Sequence, residues 1–84
     1  MATKLADRIR EYAYTHCVKP AREAGQSEIK IRVGDIHSGM GLTGRMPSVY
    51  GALGTKIFEQ EHNIKRLDIT GPGLGEDTTF IFAL

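Results

Sequence analysis

Three stretches of this chain alternate in polarity with a period of two, and their order constrains the fold more than any other feature. The first, residues 28–33, stands alone between helical patterns. Ile29, Ile31 and Val33 point one way and Lys30 and Arg32 the other, the mark of a half-exposed strand. The other two, residues 64–70 and 78–84, close the chain and are joined by Gly71-Pro72-Gly73-Leu74-Gly75-Glu76-Asp77. Such a string favours reversal, so the last two strands read as an antiparallel hairpin. The isolated strand is expected beside it, in one three-stranded antiparallel sheet. Ile64, Leu67 and Ile69 do not keep strict alternation, which predicts a bulge or a late start in the second strand.

Helical spacing fills the rest. Leu5, Ile9, Tyr12, Ala13, Cys17 and Val18 form one apolar stripe, with Lys4, Asp7, Arg8, Arg10 and Glu11 on the other face. Pro20 cannot continue a regular helix without losing a hydrogen bond, so a separate short turn is predicted over residues 20–24, stopped by Gly25. Residues 34–40 predict a small helix anchored by Ile36, Met40 and Leu42, and Gly41 and Gly44 permit a sharp turn after it. A third helix opens at Pro47, carries Met46, Val49, Tyr50, Leu53 and Ile57 as its stripe, and fades at His62-Asn63. The expected core is Ile29, Ile31, Val49, Leu53, Ile57, Phe80 and Phe82. The chain is therefore expected to be one α+β domain spanning residues 1–84, ordered helix, strand, helix, helix, strand, strand. Its core is thin at this length, and association through the long first helix into a homodimer would add to it.

Composition matters for partners and compartment. No charged start followed by an apolar stretch resembles a signal peptide, and no apolar run approaches the ~20 residues of a membrane span. The single cysteine, Cys17, cannot form an internal disulfide. A cytoplasmic protein with no membrane partner is expected. Eleven Lys and Arg against ten Asp and Glu leave a net charge of +1, so any electrostatic function must come from where charges sit.

The third helix carries the strongest functional signal. Opposite its apolar stripe it displays Gly44, Ser48, Gly51 and Thr55, flanked by Arg45 and Lys56. Small residues let a helix backbone approach a groove, an arginine can reach a guanine edge or a phosphate, and a helix N-terminus offers amides to an anion. The same small-residue face would also serve as a packing surface for another protein. The hairpin loop points partly that way, since it offers Glu76 and Asp77 where a loop that grips phosphate offers Lys or Arg. Lys65 and Arg66 stand at its base.

The remaining motifs point to no chemistry. Gly39-Met40-Gly41-Leu42-Thr43-Gly44 matches the G-x-G-x-x-G spacing, but a dinucleotide site needs parallel strands with crossover helices, and the chain after residue 63 reads as a hairpin. His16 and Cys17 diverge on a helix, and His37 and His62 are isolated, so no metal site is expected. Asp35 reads as a residue complementing a helix start. No pair makes an acid and a base. Neither an enzyme nor a cofactor is expected.

From Leu5 to Leu84 the element order resembles the winged helix-turn-helix superfamily. The strings Ile31-Arg32-Val33-Gly34-Asp35-Ile36-His37 and Gly44-Arg45-Met46-Pro47 also look like small prokaryotic domains to which no activity attaches. The first resemblance implies binding to double-stranded DNA by a transcriptional regulator or accessory factor. It places Arg45, Ser48, Thr55 and Lys56 toward the groove, Thr43 and Gly44 against phosphate at the helix start, and Arg32 or Lys65 as flanking charge. The alternative is a protein-interaction module on the same scaffold. RNA binding has no handle here, because no exposed aromatic sheet is evident.

Overall fold

The computed structural model describes residues 4–71, 73 and 75–84. It is α+β, with helices packed on one three-stranded antiparallel sheet. The first helix runs as α1 (Leu5–Ala13), a π-helical segment (Tyr14–Val18) and α2 (Lys19–Glu23). Residues at both junctions keep right-handed helical backbone, so Pro20 does not start a separate turn as expected. The wider π turn just before it, with the Lys19 amide donating to the Tyr14 carbonyl, accommodates the ring and the missing N–H.

The helix ends where the sequence indicates. Gly25, at φ +76°, sends its amide to the Arg22 carbonyl, and the Gln26 amide reaches back to Ala21, both at 3.0 Å. This double return satisfies carbonyls that the helix leaves open. The same device ends α3 (Val33–Gly39): the Gly41 amide donates to Ser38 and the Leu42 amide to His37, each at 3.0 Å.

Strand β1 (Glu28–Arg32) runs straight into α3. Val33, assigned to the strand by its alternation, is the first residue of that helix, yet its amide still donates to the Thr78 carbonyl at 2.8 Å. Strands β2 (Lys65–Thr70) and β3 (Thr79–Ala83) form the terminal hairpin, and the sheet order is β1-β3-β2. Ile31 pairs with Phe80 and Ile29 with Phe82. Across β2 the register slips between Arg66 and Asp68, which leaves Leu67 bulged outward and 52% exposed. The anticipated irregularity is this bulge.

The third helix is the main correction. It is not continuous but divides into α4 (Met46–Leu53) and α5 (Lys56–His62), separated by Gly54 and Thr55. Thr55 is extended, at φ −85° and ψ 152°, and its hydroxyl donates to the Ala52 carbonyl at 3.1 Å. Glycine and threonine are weak helix formers, so the break falls where propensity is lowest. It also rotates the stripe that follows. Ile57, expected in the core, is 49% exposed, and Phe58 is fully buried instead. The Phe58 ring meets Phe82 edge-on, with centroids 5.3 Å apart.

The core gathers Ile9, Ala13 and Val18 from the first helix, Ile31, Val33 and Ile36, then Val49, Ala52 and Leu53 of α4, and finally Phe58, Ile64, Phe80 and Phe82. Ile29 packs against this group from a half-buried position. Helix α1 lies on α4 and α3, which fixes α4 with one face inward and one face open.

Candidate nucleic-acid interface

Helix α4 turns Val49, Ala52 and Leu53 inward and leaves Pro47 and Gly51 exposed, with Ser48 half-buried at the edge. Among the described residues, nothing lies within 4 Å of where a Gly51 side chain would start, so this face is open at the backbone itself. Pro47 occupies the first turn, and among the described residues no side chain caps the amides there. Arg45 precedes the helix and is exposed, as are Thr43 and Gly44 in the turn before it. Gly44 is left-handed at φ +64°. These residues share one end of α4, together with Ser48.

The other expected contacts lie elsewhere. Thr55 sits in the break with its hydroxyl occupied by Ala52, and Lys56 is the exposed first residue of α5. Eight helical residues at 1.5 Å each put roughly 12 Å between the Arg45 and Lys56 ends of α4. Lys56 also borders a shallow depression of about 290 Å³ lined by Glu59, Gln60, Asn63 and Ile64. Lys65 opens β2, exposed, and its neighbour Arg66 reaches the Gly54 carbonyl at 3.4 Å. Arg66 thus adds charge at the α4–α5 break. Its place in a strand carries no sequence signal for that contact, because the partner carbonyl belongs to another element.

Arg32 is engaged with carboxylates. Its guanidinium donates to Asp35 and to Asp77, each at 2.8 Å, with Glu76 4.0 Å away. Hydrogen bonds to Asp77 and then Asp35 push its pKa above the usual arginine value. The acidic loop is therefore folded back on the end of β1. The Glu76 carbonyl accepts from the Gly34 amide at 2.9 Å, and the buried Thr78 hydroxyl donates to the Gly73 carbonyl. Pro72 and Leu74 of the loop lie outside the described residues. Asp35 serves Arg32 here; α3 has no side-chain cap.

His37, isolated in the sequence, accepts a hydrogen bond at Nε2 from the Arg45 amide at 3.1 Å. No periodicity links these residues, since the turn between α3 and α4 separates them. The Cys17 thiol is half-buried, and burial, then the nearby Asp35 charge, raises its pKa. The His16 ring lies tilted against Tyr12 with centroids 4.1 Å apart. Among the described residues, no group of three or more His, Cys, Asp or Glu side chains could hold a metal ion. No described helix is long and apolar enough to cross a membrane. Gly39 to Gly44 run from the end of α3 into the turn, beside strands that all pair antiparallel.

No protein-family model matches the chain, and neither a curated protein nor a solved structure matches it.

Proposed function

We propose that this chain is a small winged-helix DNA-binding protein, a cytoplasmic transcriptional regulator or accessory factor without catalytic activity, that presents α4 to a duplex groove. The observation that carries this reading is the open N-terminal end of α4. Exposed Arg45, Thr43 and Gly44 surround uncapped amides, and Gly51 lets the backbone come close to a groove wall. The layout supports it as well: the sheet order β1-β3-β2, with α3, a turn, α4 and α5 inserted between β1 and β2, is compatible with a winged-helix arrangement. In this reading Arg45 and Ser48 face bases or phosphates. Lys56, Lys65 and Arg66 meet the backbone beside the α4–α5 break.

A second reading, a protein-interaction module, is favoured by two observations. Arg32 is engaged by Asp35 and Asp77, and Ile57 and Leu67 stand half-exposed. A homodimer through α1 would need polar contacts, because the helix turns Asp7, Arg8 and Glu11 outward.

Fluorescence anisotropy on mixed-sequence duplexes at two salt concentrations tests the proposal. Roughly four phosphate contacts give a log–log salt slope near −3.6, shallower than that of a strongly basic binder. Arg45→Glu is expected to weaken binding far more than Glu76→Gln, which leaves affinity unchanged or slightly improved. A wild-type protein that binds no duplex at low salt, or an Arg45→Glu variant that binds as well as wild type, moves the function to a protein partner.

A further inference from the structure

The turn between α3 and α4 is held from one residue. The His37 carbonyl accepts from the Leu42 amide at 3.0 Å, which closes the end of α3. The His37 ring accepts from the Arg45 amide at 3.1 Å, which sets the start of α4. Between these two bonds lie Thr43 and the left-handed Gly44. Among the described residues no side chain caps α4, and the ring ties down its N-cap residue.

We propose that His37 is a positioning residue for the α4 start, fixing Arg45 only while its imidazole is neutral. This rests on the DNA-binding reading for its purpose, but the tie itself belongs to the free protein. An imidazole accepts at Nε2 only when that nitrogen carries no proton, so the neutral ring holds its hydrogen on Nδ1. Protonation turns both nitrogens into donors. The Arg45 amide then faces an N–H and loses its partner, and the turn from Leu42 to Arg45 is held at one end only.

The titratable groups on the elements packed against α3 include Cys17 of the first helix, whose thiol feels the Asp35 charge. Asp35 lies two residues earlier on the same helix and is paired with Arg32. On the α4 side stands Arg45. From the first helix, the Tyr12 hydroxyl lies over Gly39, and the His16 ring lies tilted against Tyr12. The switch is therefore assigned to the His37 ring itself.

The test has two arms. In the free protein, the Arg45 amide resonance is followed by NMR from pH 5 to pH 8 alongside the His37 ring resonance. The two are expected to titrate together, and the protection factor of the Arg45 amide, taken relative to the intrinsic exchange rate at each pH, is expected to fall below the midpoint. His37→Gln, whose carbonyl oxygen can accept without titrating, should keep the amide protected and remove its pH dependence. His37→Phe should leave it unprotected at every pH. An Arg45 amide that ignores the ring, or stays protected in His37→Phe, overturns the proposal.

The second arm measures duplex affinity above the midpoint found in the first arm. His37→Phe should bind roughly two- to tenfold more weakly than wild type, the worth of one hydrogen bond, and His37→Gln should match wild type. Equal affinity of all three overturns the positioning role. Absence of duplex binding by wild type, with the Arg45 amide still following His37, refutes the DNA-binding reading and upholds the tie.

Discussion

Asp77 holds Arg32 at 2.8 Å across 45 residues of sequence, binding the terminal hairpin loop to the end of β1. The contact has two consequences. It ties the loop beside the start of α3, and it withholds from any ligand a cation that the sequence places among the flanking charges. Both follow from one exposed guanidinium shared between Asp77 and Asp35.

Asp77→Asn is expected to remove one of the two carboxylates bonded to Arg32, leaving Asp35 in place, and to strengthen duplex binding modestly, while Arg32→Ala should change it little. Exposed pairs of this kind are screened by salt, so the gain should shrink as ionic strength rises. Anisotropy titrations at low and moderate salt check both variants. A weaker Asp77→Asn complex would show that the loop's own geometry, and not its charge, matters for binding.

Gly34 and Gly51 are expected to respond oppositely to alanine. A Cβ on Gly34 would lie 2.8 Å from the Glu76 carbonyl oxygen and 2.9 Å from its Cβ, so the loop backbone must move. The clash outweighs the helix propensity gained, for a net loss of about 1–2 kcal/mol. A Cβ on Gly51 meets nothing, and Gly51→Ala should stabilise α4 by about 0.5–1 kcal/mol. Urea denaturation separates the two. If α4 enters a groove, Gly51→Ala also binds duplex less tightly despite the more stable fold.

Leu53 and Ile57 test the break in the third helix. Leu53 is fully buried, and Leu53→Ala is expected to cost about 2–5 kcal/mol, enough to unfold much of so small a domain. Ile57 is half-exposed, and Ile57→Ala should stay within about 0.5 kcal/mol of wild type. Similar large losses from both would mean that α4 and α5 form one continuous helix.

His62 gives the domain an acid-sensitive component. Its ring stacks on Tyr14 with centroids 4.1 Å apart and meets Phe58 edge-on, and its Nε2 is buried without a hydrogen-bond partner among the described residues. Burial lowers its pKa below the ordinary 6.5; Glu61 opposes this, and Arg22 and Arg10 reinforce it. The unfolded chain therefore takes up this proton more readily than the folded one. The resulting stability is fully present above pH 6.5 and is lost as pH falls through the window below it. Melting curves between pH 7.5 and pH 5 should show wild type declining relative to His62→Phe, which keeps the ring contacts and does not titrate. Parallel curves would remove His62 as the cause.

Much of this architecture was legible in the residues because its causes are local. The period-two runs around Ile31 and Phe80 to Phe82 mark strands, Gly25 and Gly41 mark helix ends, and the irregular spacing around Leu67 marks a bulge. Each depends on backbone conformation or on which side of a strand is apolar, and both are written within a few residues. Only the tertiary structure decided the rest. Pro20 stays within a continuous helix through a π turn that the proline pattern alone does not specify. Gly54 and Thr55 end α4, exchanging Ile57 for Phe58 in the core, because the ring then meets Phe82. Of the expected site residues, Thr43, Gly44, Arg45 and Ser48 gather at one end of α4, since a turn and a helix start bring neighbours together. Arg32 is engaged by Asp77, and His37 holds Arg45, through contacts between separate elements. Periodicity locates a side chain on its own helix or strand; the partner it finds depends on how those elements pack.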